Sequence, residues 1–138
     1  MCKDVDILAR TIYGEARGES LIGKEAIARV ILNRKKKAID AGGKFWWGND
    51  IAEICQKKWQ LSCWNESDPN YKKLISIDET DELFKICKRV AKKAVSGVMK
   101  DFLYGATHYH TKDVTPKWSA GKIPCIIIGH HHFYNDIA

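Results

Sequence analysis

The sequence predicts an α+β chain, mainly helical, that closes with a small C-terminal antiparallel sheet. Three observations carry this expectation. Apolar residues recur at steps of three and four from Val5 to Ala16 and again from Glu82 to about Val98, the spacing of one helix face. Past Gly105 the pattern changes to the alternation of "ATHYHT" and the β-branched, aromatic run "IPCIIIGHHHFY", both marks of strands. No repeat, low-complexity segment or linker divides the 138 residues, so a single domain over 1–138 is expected.

In the first helix Val5, Leu8, Ala9, Ile12, Tyr13 and Ala16 share a face, Arg10 and Arg17 project from the other side, and Gly18 offers a stop. Ser20 is an N-cap residue for a second helix through "GKEAIARVILNR", with Ile22, Ala26, Ile27, Val30 and Ile31 buried and the basic run Arg34 to Lys37 returning to solvent. The loop "DAGGKFWWGND" follows, then a short helix "DIAEIC" capped by Asn49 or Asp50, then irregular chain from Lys57 to Asn70. The third long helix places Leu83, Ile86, Cys87, Val90, Ala91, Ala94 and Val95 in one stripe and leaves Lys85, Lys88, Arg89, Lys92 and Lys93 on a solvated face. Its acidic start, Asp78 to Glu82, suits the positive end of the helix dipole. The two strand segments are separated by the turn-prone "KDVTPKWSAGK".

With 45% hydrophobic and 29% charged residues the chain reads as globular, and no apolar run nears the roughly 20 residues of a membrane span. The opening "MCKDVDILAR" lacks the order of a signal peptide, so any export is expected to use another route. Five cysteines without a C-x-x-C pair read as free thiols in a reducing compartment. A net charge of +6 favours an anionic partner: nucleic acid, an anionic membrane face or an acidic wall polymer.

Glu15 stands on the rim of the first helix's apolar face, three residues after Ile12. A carboxylate partly withdrawn from water there has its neutral form favoured, as a proton donor for glycosidic cleavage requires. Alternatively Glu15 points to solvent or pairs with Arg10 or Arg17. Glu19 is a candidate second carboxylate or a capping residue. In "WQLSCWNESDPNY" the rings Trp59, Trp64 and Tyr71 alternate with Gln60, Ser62, Asn65 and Asn70. Such rings stack on sugar faces while amides bond hydroxyl and acetamido groups; single-stranded nucleic acid asks for much the same, and a lid packed on the core is the other reading. His108, His110, His130, His131 and His132 invite a metal, but H-x-H and "HHH" without C-x-x-C or H-E-x-x-H are weak ligand patterns, so packing or substrate hydrogen bonding is expected and no metal or cofactor is assigned.

Four segments, "ARTIYGEARGES..GKEAIARVILNR", "WGNDIAEICQKKWQLSCWNESDPNYKKL", "ATHYHTKDVTPKW" and "IGHHHFY", resemble in order and spacing the bacterial cell-wall hydrolases typified by the spore-cortex-lytic enzymes. The resemblance runs from Ala9 to Tyr134. It implies a lysozyme- or transglycosylase-like catalytic domain acting on peptidoglycan glycan strands. It places the catalytic acid on Glu15 and substrate contacts on Gln60, Ser62, Trp64, Asn65, His108, Tyr109, Trp118 and His131, with Gly129 and Phe133 in the closing motif. Leu61 replaces the usual phenylalanine, and Lys35 to Gly43 replace a shorter, proline-containing link.

The reaction expected is cleavage between N-acetylmuramic acid and N-acetylglucosamine leaving 1,6-anhydro ends, or, if water attacks, a muramidase-type hydrolysis with the same acid. A zinc-dependent amidase, betrayed by loss of activity on chelation, and an inert glycan- or nucleic-acid-binding module, betrayed by binding without fragments, are the competing classes. Peptidoglycan, rather than nucleic acid or a membrane, is the expected partner of a monomer. Without a signal peptide or a wall-binding domain, a phage-type lysin or loading outside the general secretory route is expected.

Overall fold

The computed structural model describes residues 3–57 and 60–137; Cys2 and Trp59 lie outside the described residues. Helix α1 (Lys3–Ala16) opens with Asp4 and Asp6 in its first turn, where carboxylates suit the helix dipole. It is the central strut: it packs on α2 (Leu21–Asp40), α3 (Ile51–Gln56), α4 (Tyr71–Ser76) and α5 (Glu82–Val95). Leu8, Ile12, Ile27, Ile31 and Ile54 are fully buried among them, each side chain contributing about 1.5–3 kcal/mol by leaving water.

The caps follow the sequence. The Ser20 hydroxyl accepts from the Gly23 N–H, Asp50 from Glu53 N–H and Asp81 from Phe84 N–H. Two helices differ from expectation. Helix α2 continues through the basic run to Asp40, because Arg34 and Ala38 extend its inner face; Arg34 is buried and not returned to solvent. Helix α5 turns Phe84 inward, its ring meeting Tyr13 edge-on at 6.2 Å, and leaves Leu83 largely exposed. The short α4, preceded by a 3-10 turn at Ser62–Trp64, was not expected.

The C-terminal segments form an antiparallel sheet of order β1-β3-β2, with β1 at His108–Thr111, β2 at Ile126–Ile128 and β3 at His131–Tyr134. One expected strand is thus two, folded back at Gly129 and His130, and Tyr109 faces Phe133 across the β1–β3 ladder. Cys55, Cys63, Cys87 and Cys125 are free thiols. Burial pushes Cys55 up to about 12, so this thiol packs as an apolar group.

Candidate active site

A cleft of about 730 Å³ opens where the end of α1 meets β1, the 3-10 turn and the β1–β2 connection. Glu15, in the last turn of α1, is the sole acidic residue among the described residues lining it. The Tyr109 hydroxyl donates to Glu15 Oε1 at 2.5 Å and the Cys63 N–H reaches Oε2 at 3.4 Å. Burial, reinforced by Glu15 itself, raises the Tyr109 pKa well above its ordinary value, so this hydroxyl stays a donor. Arg10 and Arg17 are engaged elsewhere. Arg10 holds Asp6 and the carbonyls of Leu74 and Ile77, and Arg17 lies over the Tyr13 ring.

Close packing behind the acid depends on Gly14. A Cβ there would stand 2.5 Å from Cys63 Cβ, so the missing side chain admits the 3-10 turn whose backbone N–H reaches Glu15.

The sheet side of the cleft is polar but largely uncharged. His108 Nδ1 lies 2.9 Å from Thr107 Oγ1, and burial, helped by Arg34 and Lys37, lowers the His108 pKa to about 4, which keeps the ring neutral at neutral pH. His110 Nε2 is 2.7 Å from the Tyr134 hydroxyl. Trp118 stands edge-on to His108 at 5.2 Å. Buried His131 meets Tyr109 edge-on at 5.2 Å, and burial, opposed by Glu19 and Glu15, lowers its pKa. Among the described residues no three His, Cys, Asp or Glu side chains are grouped to hold a metal ion.

Glu19 has a different surrounding. Its Oε1 accepts the His130 N–H at 2.8 Å, its Oε2 lies 2.8 Å from His130 Nδ1, and His131 Nδ1 is 3.4 Å from Oε1. Burial raises the Glu19 pKa, but the two hydrogen bonds from His130 and the nearby imidazoles outweigh it and the net shift is downward. Gly129, at φ 57°, presses against it: an added Cβ would stand 2.5 Å from Glu19 Oε1. Glu19 thus ties the end of α1 to the β2–β3 turn.

Trp46 and Arg34 are among the cleft residues that escaped the sequence reading. Trp46, about half exposed, stands on the rim, and Arg34, 4% exposed, lines the inner wall. Arg34 follows Ile27 by seven residues and Ile31 by three, so the helical period did place it on the inner face. Nothing in "FWW" separates exposed Trp46 from fully buried Trp47.

The family profile described as Cell Wall Hydrolase matches residues 18–134. The chain belongs to the cell-wall hydrolase family. Spore cortex-lytic enzymes of Bacillus subtilis and Halalkalibacterium halodurans are 61% and 55% identical to it over 31 residues, 22% of this chain but only 10% and 9% of theirs. The crystal structure of the catalytic domain of the Bacillus cereus SleB protein superposes with a TM-score of 0.70 at 25% identity, covering 94% of this chain and 88% of that one. The catalytic domain of the germination-specific lytic transglycosylase SleB from Bacillus anthracis gives 0.69 at 24% identity, covering 96% and 95%. The lysozyme-like, mainly helical architecture with a small sheet is thereby established.

In this cell-wall hydrolase, Gln60, Ser62, His108, Tyr109, Trp118 and His131 line the same cleft as Glu15. Trp64 and Asn65 do not. The Trp64 indole N–H donates to Thr11 Oγ1 at 2.9 Å and its ring packs on the core, while Asn65 closes the 3-10 turn through its N–H to the Ser62 carbonyl. Glu19 is likewise outside the cleft lining, its oxygens held at the β2–β3 turn. The family match begins at Gly18, three residues beyond Glu15.

Proposed function

We propose that this chain cleaves peptidoglycan glycan strands between N-acetylmuramic acid and N-acetylglucosamine as a lytic transglycosylase, with Glu15 as acid and then base. The observation that carries this reading is a cleft carboxylate, the only one among the described lining residues, held by the Tyr109 hydroxyl and the Cys63 N–H. Two-carboxylate glycosidases need a second acid across the bond, whereas an internal nucleophile dispenses with it. Glu15 gives its proton to the glycosidic oxygen as the bond to the muramic anomeric carbon breaks, and the glucosamine leaves with its 4-hydroxyl restored. The muramic 6-hydroxyl then bonds to that carbon and returns its proton to Glu15. Tyr109 keeps a donor on one carboxylate oxygen throughout.

Family membership and the likeness to SleB catalytic domains support peptidoglycan as the substrate class. The surplus of positive charge, with Lys85, Arg89, Lys92 and Lys93 exposed on α5, fits a polymer that carries peptide carboxylates. Mass spectrometry of digested sacculi tests the reaction. Anhydro ends, lighter by one water than reducing ends, are expected; reducing ends would make water the nucleophile and the enzyme a muramidase, and intact glycan strands would overturn both.

A further inference from the structure

Arg34 lines the cleft that holds Glu15 and keeps one guanidinium donor unpaired. It is 4% exposed on α2, and its Nε donates to the Thr107 carbonyl at 2.7 Å. The guanidinium carbon lies 5.0 Å from the centroid of the Trp47 ring, and the Trp47 indole N–H returns to the Arg34 carbonyl at 3.1 Å. The side chain is thus fixed in both tilt and direction, yet its Nη1 has no hydrogen-bond partner among the described residues. A buried donor left unpaired costs about 1–3 kcal/mol, and a guanidinium remains charged even when burial lowers its pKa. Such a group belongs where an incoming acceptor completes it.

We propose that Arg34 forms a subsite in the cleft for the carbonyl oxygen of an N-acetyl group on the glycan strand. This rests on the glycan reading above and names what the cleft recognises beside Glu15. Of the acceptors such a strand carries, the stem-peptide carboxylates run out to solvent with the peptide. Ring hydroxyls lie too close to the sugar to reach a side chain this deeply set. The lactyl carbonyl reaches farther but bears the stem peptide, which must run out to solvent. The acetamido arm alone projects and ends blindly, with an oxygen for the guanidinium fork and a methyl group for an apolar surface. Trp46, His108 and Trp118, which line the same cleft, supply that surface.

The test compares two neutral tetrasaccharides that differ only at carbon 2, tetra-N-acetylchitotetraose and cellotetraose, by NMR titration of the full chain. The parent is expected to prefer the acetylated sugar by about tenfold or more, as a hydrogen bond to a charged group implies. Arg34→Met should bring that ratio close to one, and Arg34→Lys, which keeps charge but loses the fork, should fall between. A parent that binds both sugars equally, or neither, overturns the subsite whether or not Arg34→Met folds. So does either variant, shown folded by thermal melting, that keeps the parent ratio. Sacculus fragments without acetamido discrimination would remove the subsite and leave the cleavage standing; discrimination without fragments would do the reverse.

Discussion

Glu15 and Glu19 sit four residues apart at one helix end, and the structure gives them opposite work. Glu15 lines the cleft with Tyr109 and Cys63 as its donors, while Glu19 is spent on the backbone and rings of His130 and His131. The difference lies in what each meets from the distant half of the chain: a strand side chain with one hydroxyl, or a tight turn with an N–H to satisfy. A carboxylate's neighbours, and not its place in the motif, decide whether it can exchange a proton with a ligand or hold a fold together.

That contrast can be broken most forcefully at Glu15. Glu15→Gln should cut fragment release from sacculi by at least about a hundredfold, the usual worth of a positioned acid and base, with little change in melting temperature. A variant that solubilised sacculi at the parent rate would end the assignment. At the other glutamate the damage should be to stability: Gly129→Ala sets a Cβ against Glu19 at a positive φ and should cost about 1–3 kcal/mol in denaturant unfolding. Tyr109→Phe removes a donor from Glu15 and should lower the cleavage rate about tenfold while the fold is retained.

The smallest effect expected is a pH-dependent one. Because the Glu19 pKa is lowered from 4.5 in the folded chain, its contribution to stability is complete above that value and is lost as pH falls through the lowered one. Glu19→Gln should therefore melt below the parent at neutral pH, with the gap closing in acid and with cleavage by the folded protein kept. A gap that stayed constant with pH would mean that the charge on Glu19 does not matter.

The helices were legible because burial on one face writes a period into the sequence, and the caps Ser20 and Asp50 were legible because short polar side chains there have one job. The turn at Gly129 was not, since "IPCIIIGHHHFY" is strand-like on both sides of a single glycine. Motif resemblance named Glu15, Tyr109 and Trp118, which the fold brings to one cleft, together with Trp64, which donates to Thr11 outside it; the sequence carries no mark that separates the two placements. Arg34 was hidden by its company. Followed by Lys35, Lys36 and Lys37, it looked like the start of a solvated run, although the helical period placed it inward.

The pairs that build the site are also far apart along the chain: 94 residues separate Glu15 from Tyr109, and 111 separate Glu19 from His130. Loops of that length close late, because their entropy is lost before any contact forms to offset it. A growing polypeptide therefore has no assembled catalytic centre until the histidine-rich strands have left the ribosome and come back to the first helix. Until then the chain holds no assembled site for the proposed cleavage, and fragments cut short before residue 109 should leave sacculi intact.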